Sequence, residues 1–215
     1  MISILIPSIG EERQECLTRC LKSIWGQKVP CEVLVGAGNR RGPIKTTNRL
    51  AEIAAGDFFL VLNDDCILLP GFLESCEAAI KEHPDMALGI PYLGTPGDDH
   101  LIRYQWEIPY ACFPLLSRGY WAIGGRIFDQ DYPFYYVDQD LSFRVIDGFN
   151  KVIPIPGACL YHEAAPSAKR GVVDDPASAE GWRLLTTRWH NEQDELRKKL
   201  KGVEFPATCS GRCRQ

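Results

Sequence analysis

Residues 57–70, DFFLVLNDDCILLP, decide how this chain reads. Five apolar residues, Phe58 to Leu62, run without polar alternation, the pattern of a strand buried on both faces in a parallel sheet. The run stops at Asn63, Asp64 and Asp65. Carboxylates at the C-terminal end of such a strand stand where open α/β sheets bind ligands. Hard oxygen donors there suit Mg2+ or Mn2+, ions that commonly bridge to phosphate groups. The stretch points to metal-assisted chemistry on a phosphate-bearing donor. The competing reading is a polar turn with two solvated acids, since acids are common in turns.

The flanking sequence extends the pattern. Residues 2–6 form an apolar β-type run closed by Pro7-Ser8-Ile9-Gly10. A helix over 14–26 follows, with Leu17, Leu21 and Ile24 at helical spacing. A second strand at 32–35 ends in Gly36-Ala37-Gly38-Asn39, and a second helix covers 43–55. The first 65 residues therefore read β-α-β-α-β, the signature of a parallel sheet. Further on, the sequence predicts a helix over 71–82, a strand at 87–90 and a Gly/Pro/Asp-rich segment over 91–109. An aromatic segment over 110–136 carries Gly124-Gly125. A helix over 138–149, strands at 151–155 and 158–161, and one amphipathic helix over 177–200 ending in RKKLK complete the reading.

The bulk properties bound the class. A chain of 215 residues with 45% hydrophobic and 24% charged residues has the composition of a globular domain. No apolar run approaches the ~20 residues of a membrane span. MISILIPS lacks a basic region and reads as a core strand rather than a signal peptide. A net charge of −4 argues against a nucleic-acid partner. Nine cysteines without a CxxC show no zinc spacing. Cys66, Cys112 and Cys159 lie in apolar runs and read as reduced core thiols, which fits a cytoplasmic setting. Cys209 and Cys213 fall in a terminal tail.

Four blocks carry a resemblance, in order: ISILIPSIGEERQECLTRCLKSIWGQ (2–27), TTNRLAEIAAGDFFLVLNDDCILLPGFLE (46–74), GYWAIGGRIFDQDY (119–132) and FYYVDQDLSFRVIDGF (134–149). Together they resemble the family 2 glycosyltransferases of GT-A fold. The fold this implies is α/β, with a Rossmann-like, mostly parallel sheet flanked by helices and a smaller acceptor-binding half. A single domain over 1–203 is expected: a nucleotide-sugar half (1–90), an acceptor and catalytic half (91–165) and a C-terminal helical region (166–203), then a tail (204–215).

The resemblance implies transfer of a sugar from a nucleoside-diphosphate sugar to an acceptor hydroxyl, with inversion and with Mn2+ or Mg2+. By alignment Asn63-Asp64-Asp65 is a variant of the DxD motif. Asp65 takes the metal place, and Asn63 replaces the first acid while keeping a hydrogen-bonding side chain for ribose. His162, after the run 158–161, is the further metal ligand or else a hydrogen-bonded strand-end histidine. Asp138 takes the place of the catalytic base, with Asp140 beside it as the second catalytic carboxylate or an orienting group. Val137 departs from the family's Glu, and Asp138 also suits a helix N-cap. Arg144 is a candidate partner for Asp140.

Pro7, Ser8 and Glu11 fall in the donor loop, with Gly36, Lys45, Asn48 and Asp64 as further donor-side candidates. Trp121, Gly124 and Gly125 fall on the acceptor side. A UDP-sugar is the family's usual donor, but Gly36 stands where an Asp usually reads the uracil. The acceptor is not legible. RKKLK with Trp182 and Trp189 allows docking at a membrane surface, against packing of the two tryptophans on the domain. Two other functions compete. A sugar-phosphate nucleotidyltransferase would carry a Gly-rich basic loop where this chain has acidic PSIGEERQE. A decayed nucleotide- or glycan-binding domain would account for Asn63, Val137 and Gly36.

Overall fold

The computed structural model describes residues 1–8, 10–37, 42–95, 99–149, 151–163 and 175–206. The opening β-α-β-α-β unit is present. β1 (Ile2–Ser8) is buried along its length. A 3-10 turn over Glu11–Arg13 leads into α1 (Gln14–Trp25), which buries Cys20 and Ile24. β2 (Cys31–Ala37) pairs in parallel with one side of β1. After α2 (Gly42–Ile53), β3 (Phe58–Val61) pairs in parallel with the other side. The chain continues through β4 (Cys66–Leu68), α3 (Phe72–Glu82), β5 (Leu88–Gly94), β6 (Arg103–Gln105), β7 (Ile108–Tyr110), β8 (Leu115–Ser117) and α4 (Arg118–Gly124). It ends in α5 (Val137–Phe149), β9 (Val152–His162), α6 (Pro176–Trp189) and α7 (Gln193–Lys199).

Seven strands form one sheet in the order β2-β1-β3-β8-β5-β9-β4, and β6 and β7 form a separate hairpin. β8 runs antiparallel between β3 and β5, and β4 runs antiparallel to β9. The period-2 geometry of the strands divides the core. Leu5, Phe59 and Val61 join one apolar layer, while Ile4, Ile6, Leu60 and Leu62 join the layer on the opposite face. This is why the run 58–62 shows no polar alternation.

Several elements differ from the sequence reading. The two strands at 151–155 and 158–161 are one strand, β9. Its register against β5 slips between Ile90 and Tyr92, where Pro91 has no N–H to give. The helix over 177–200 is two helices separated by a 3-10 turn at His190–Glu192. The break follows Trp189, whose indole N–H is tied to Asp140 at 3.0 Å. Three basic side chains at the end of α7 are paired: Arg197 with Asp194, Lys198 with Glu195 and Lys199 with Asp147. Among the described residues no helix is long and apolar enough to cross a membrane. Cys66 and Cys112 are free thiols, as expected, but Cys159 is disulfide-bonded, which corrects its reading as a reduced thiol. Cys209 and Cys213 lie outside the described residues, as do Gly38 and Asn39.

Candidate functional site

Strand register assembles the first part of the site. Cys66 of β4 lies opposite His162 of β9, and the Glu163 N–H donates to the Asp65 carbonyl at 3.0 Å. This pairing brings two side chains 97 positions apart into contact, with His162 Nε2 3.1 Å from Asp65 Oδ1. The approach lacks the alignment of a hydrogen bond, so Oδ1 is buried without one. The other oxygen, Oδ2, accepts from Arg13 Nη2. Burial pushes the Asp65 carboxyl up, but His162 and Arg13 outweigh it and hold the group below the usual carboxylate range. The neighbouring Asp64 has two partners: Ser8 donates its hydroxyl to Oδ2 at 2.7 Å, and Arg13 Nε sits 3.1 Å from Oδ1 as an ion pair. Ser8 therefore holds Asp64.

Of these groups Arg13, Asp64 and His162 line a cleft of about 450 Å³, while Asp65 and Ser8 are buried and do not line it. Pro7, Arg13, Asn63, Asp64 and His162 line it from the strand ends, and Pro43, Ile44 and Thr47 from the start of α2. Phe134, Tyr135, Tyr136, Asp138 and Gln139 line it from the start of α5. Polar atoms of the wall are left without protein partners: Thr47 Oγ1 and Gln139 Oε1 are buried with no hydrogen bond.

Asp138 is half-buried in the first turn of α5, one residue inside the helix start at Val137 rather than at an N-cap. Tyr136, just before the helix, has φ 69°, a left-handed conformation rare outside glycine and asparagine. Desolvation raises the Asp138 carboxyl from 3.8 to about 6, against the backbone N–H groups of Asp138 and Gln139 and the Cys112 thiol, which all favour the anion. Burial drives that thiol upward, so it stays protonated and serves as a donor. An acid tuned near neutrality in a cleft is what general-base chemistry needs.

Other candidates fall elsewhere. Asp140 is fully buried and does not face the cleft. Its Oδ2 accepts from Arg144 at 2.8 Å, and its Oδ1 accepts from Trp189 at 3.0 Å, Tyr132 at 3.2 Å and Arg188 at 3.4 Å. It is an anchor joining α5 to α6, which corrects its reading as a catalytic group and agrees with the pairing expected for Arg144. Asn48 is likewise consumed. Its Oδ1 accepts from the N–H of Ile127 and Phe128 at 3.0 and 2.9 Å, and its amide donates to the Phe128 carbonyl at 2.8 Å. It fixes the turn that places Phe128 on the cleft.

Lys45 lies on the exposed side of α2 and Glu11 is exposed in its 3-10 turn, both away from the cleft lining. Gly36 is a packing residue: a Cβ there would meet Thr46 Cγ2 at 2.6 Å, because α2 crosses close over β2. An acid does not fit at that position without moving the helix. Trp121 packs edge-on against Phe59 at 6.0 Å, and Gly124 and Gly125 close α4, with Gly125 at φ 67°. None of the three lines the cleft. The sequence reading missed Arg13, Thr47, Cys112 and the aromatic run 134–136. Only the aromatic density carried a signal for any of them.

The donor set fits a divalent ion on this structure's own terms. Adjacent ligands of an octahedral ion at ~2.1 Å lie about 3 Å apart, which matches the Asp65 Oδ1 to His162 Nε2 separation of 3.1 Å. The carboxylate oxygen is free of hydrogen bonds. Two protein ligands are few: among the described residues no three His, Cys, Asp or Glu side chains converge on one point. Such an ion would draw its remaining ligands from water and from the donor.

Comparisons with known proteins bear on the fold and the family. The chain is similar in structure to TarS residues 1–349 of S. aureus, with a TM-score of 0.66 and 14% identity over 92% of this chain and 69% of that one. TarS has also been solved with UDP-GlcNAc. GalNAc-T7, solved with UDP, GalNAc and Mn2+, gives a TM-score of 0.69 at 11% identity, over 90% of this chain and 50% of that one. The mannosyltransferase PcManGT of Pyrobaculum calidifontis, in complex with GDP-Man and Mn2+, gives 0.56 at 16%, over 95% and 65%. At these identities the likeness speaks for the GT-A fold. No curated protein matches by sequence. The family model for glycosyl transferase family 2 matches residues 26–138, more than half of the chain, and the chain belongs to that family.

Proposed function

We propose that this glycosyltransferase moves a sugar from a nucleoside-diphosphate sugar to an acceptor hydroxyl with inversion, using Asp138 as base and a divalent ion held by Asp65 and His162. The observation that carries the reading is one cleft lined both by His162, whose Nε2 lies 3.1 Å from Asp65 Oδ1, and by a carboxyl raised to about 6. A divalent ion there would neutralise the negative charge that gathers on the departing diphosphate. Asn63 stands exposed beside His162, with its amide 3.4 Å from Nε2, and offers a neutral hydrogen-bonding group to the donor. Thr47 Oγ1 and the apolar faces of Pro7, Pro43 and Ile44 complete the donor side. Asp138, with Tyr136 and Gln139 beside it, receives the acceptor hydroxyl and takes its proton as the new glycosidic bond forms. Structural neighbours solved with uracil and with guanine nucleotides leave the donor class at nucleoside-diphosphate sugars.

The test is release of nucleoside diphosphate from a panel of nucleotide sugars with Mn2+ or Mg2+. At least one donor is expected to be hydrolysed in a metal-dependent way. No turnover across the panel together with no diphosphate binding would reject the reading. The pH dependence has a definite sign. The base must be ionised, so kcat/KM is expected to rise as pH increases through about 6, the value to which burial raises Asp138. A rate already at its plateau at pH 5 would contradict the assignment.

A further inference from the structure

Among the described residues Arg13 is the one Lys or Arg side chain paired with the acids at this strand end, and its position follows from the fold. The 3-10 turn after β1 points it across the end of β3, where its Nη2 bonds Asp65 Oδ2 and its Nε lies 3.1 Å from Asp64 Oδ1. Burial disfavours the charged guanidinium, but the two carboxylates more than compensate and raise its already high pKa. Its contacts leave it incomplete as a hydrogen-bond donor. Nε is buried without an aligned partner, and a guanidinium carries five N–H groups in a planar fork. The residue also lines the cleft. Asn63 in the first motif place leaves two carboxylates here, and one guanidinium already cancels half of their charge.

We propose that Arg13 is the resident cation of the donor site: it restrains divalent-ion binding at Asp65 and offers its unused N–H groups to the donor's diphosphate. The inference rests on reading this cleft as the donor site. It requires two effects of opposite sign. Removing the guanidinium frees an anionic pair, so a bare divalent ion binds more tightly. The same change removes a charge-assisted donor, so a nucleoside diphosphate without metal binds more weakly. A residue that only braced the loop would weaken both together.

The experiment compares the unsubstituted protein with Arg13→Met and Arg13→Lys, monitoring thermal melting to establish folding. Mn2+ binding is measured without nucleotide by electron paramagnetic resonance. UDP and GDP binding is measured in EDTA by calorimetry. Arg13→Met is expected to bind Mn2+ about 10-fold more tightly and nucleoside diphosphate about 10-fold more weakly, the scale of one charge-assisted contact. Arg13→Lys keeps the charge without the fork. It is expected to leave Mn2+ binding near that of the unsubstituted protein, with a smaller loss of diphosphate affinity. Unchanged or weaker Mn2+ binding in folded Arg13→Met overturns the inference, and so does unchanged diphosphate binding in Arg13→Met. If Arg13→Met does not fold, Arg13→Gln, which also removes the charge, is measured in its place and decides. If neither folds, Arg13 is a structural brace and the inference fails. Absence of both Mn2+ and diphosphate binding from the unsubstituted protein rejects the donor-site reading itself, and this inference with it.

Discussion

Replacing Asp138 with Asn is expected to abolish turnover and, at the same time, to stabilise the fold above pH 6. The loss of rate follows from removing the base, whose contribution is typically 10²- to 10⁴-fold. The gain in stability follows from the sign of the shift. The carboxyl is raised from 3.8 to about 6 by desolvation, so its charged form opposes folding. Below about pH 4 the group is protonated in both states and carries no penalty. As pH rises through 6 the penalty grows to its full size, at most about 3 kcal/mol. Asn has the same shape, keeps an acceptor for the N–H groups of the helix start and carries no charge. The D138N variant should therefore melt several degrees higher than the unsubstituted protein at pH 7 to 8, with the difference closing as pH falls toward 4. Donor binding should persist. A D138N variant with normal kcat would remove Asp138 from the chemistry. One that melts lower at pH 8 would contradict the desolvated carboxylate.

Asp140, two residues along, should behave in the opposite way. Asp140→Ala is expected to cost about 3–5 kcal/mol of stability, the scale for breaking a buried ion pair from one side. The reason is what remains after the carboxylate is gone. Arg144 and Arg188 lose their shared anion, and Tyr132 and Trp189 lose an acceptor. Because Arg188 and Trp189 belong to α6, the damage should include loosening of α6 from α5. Thermal melting should show a fall of about 10 °C or more, and fluorescence of Trp189 should report solvent entry. A D140A variant with an unchanged melting temperature would show that the four contacts carry little energy. The pair of substitutions separates chemistry from scaffold: one carboxylate is strained at the cleft and dispensable for folding, and the other is satisfied and structural.

The elements legible in the sequence were those with a long, unambiguous period. β1, β3, α1, α2, α3 and α5 follow their apolar patterns to within two residues. β4 and β8 were not legible because each is three residues long and lies inside a denser motif, DDCILLP for one and an aromatic run for the other. The hairpin of β6 and β7 turns through Trp106 and Glu107 at φ 52° and 63°, where a two-residue hairpin loop ordinarily carries Asn-Gly. Tertiary contacts hold it instead: Trp106 stacks on Phe143 and touches Trp182, and Arg197 donates to the Trp106 carbonyl.

At the site, the resemblance singled out Asp65 and Asp138 by their motif positions and His162 by its place after the run 158–161, and the roles given to them here are proposals. Asp140 and Asn48 belong to the same motifs, and sequence could not show that their polar atoms are consumed internally. Arg13 had no signal, because its partners lie 51 and 52 positions away and meet it only once β1 and β3 pair.

The most direct measurement is the location of Mn2+ by anomalous diffraction in crystals grown with a nucleoside diphosphate. The predicted result is a single peak within bonding distance of Asp65 Oδ1 and His162 Nε2, with the diphosphate in the same cleft as the Asp138 carboxyl. A diphosphate bound there with no peak, or a peak away from Asp65 and His162, would contradict the account.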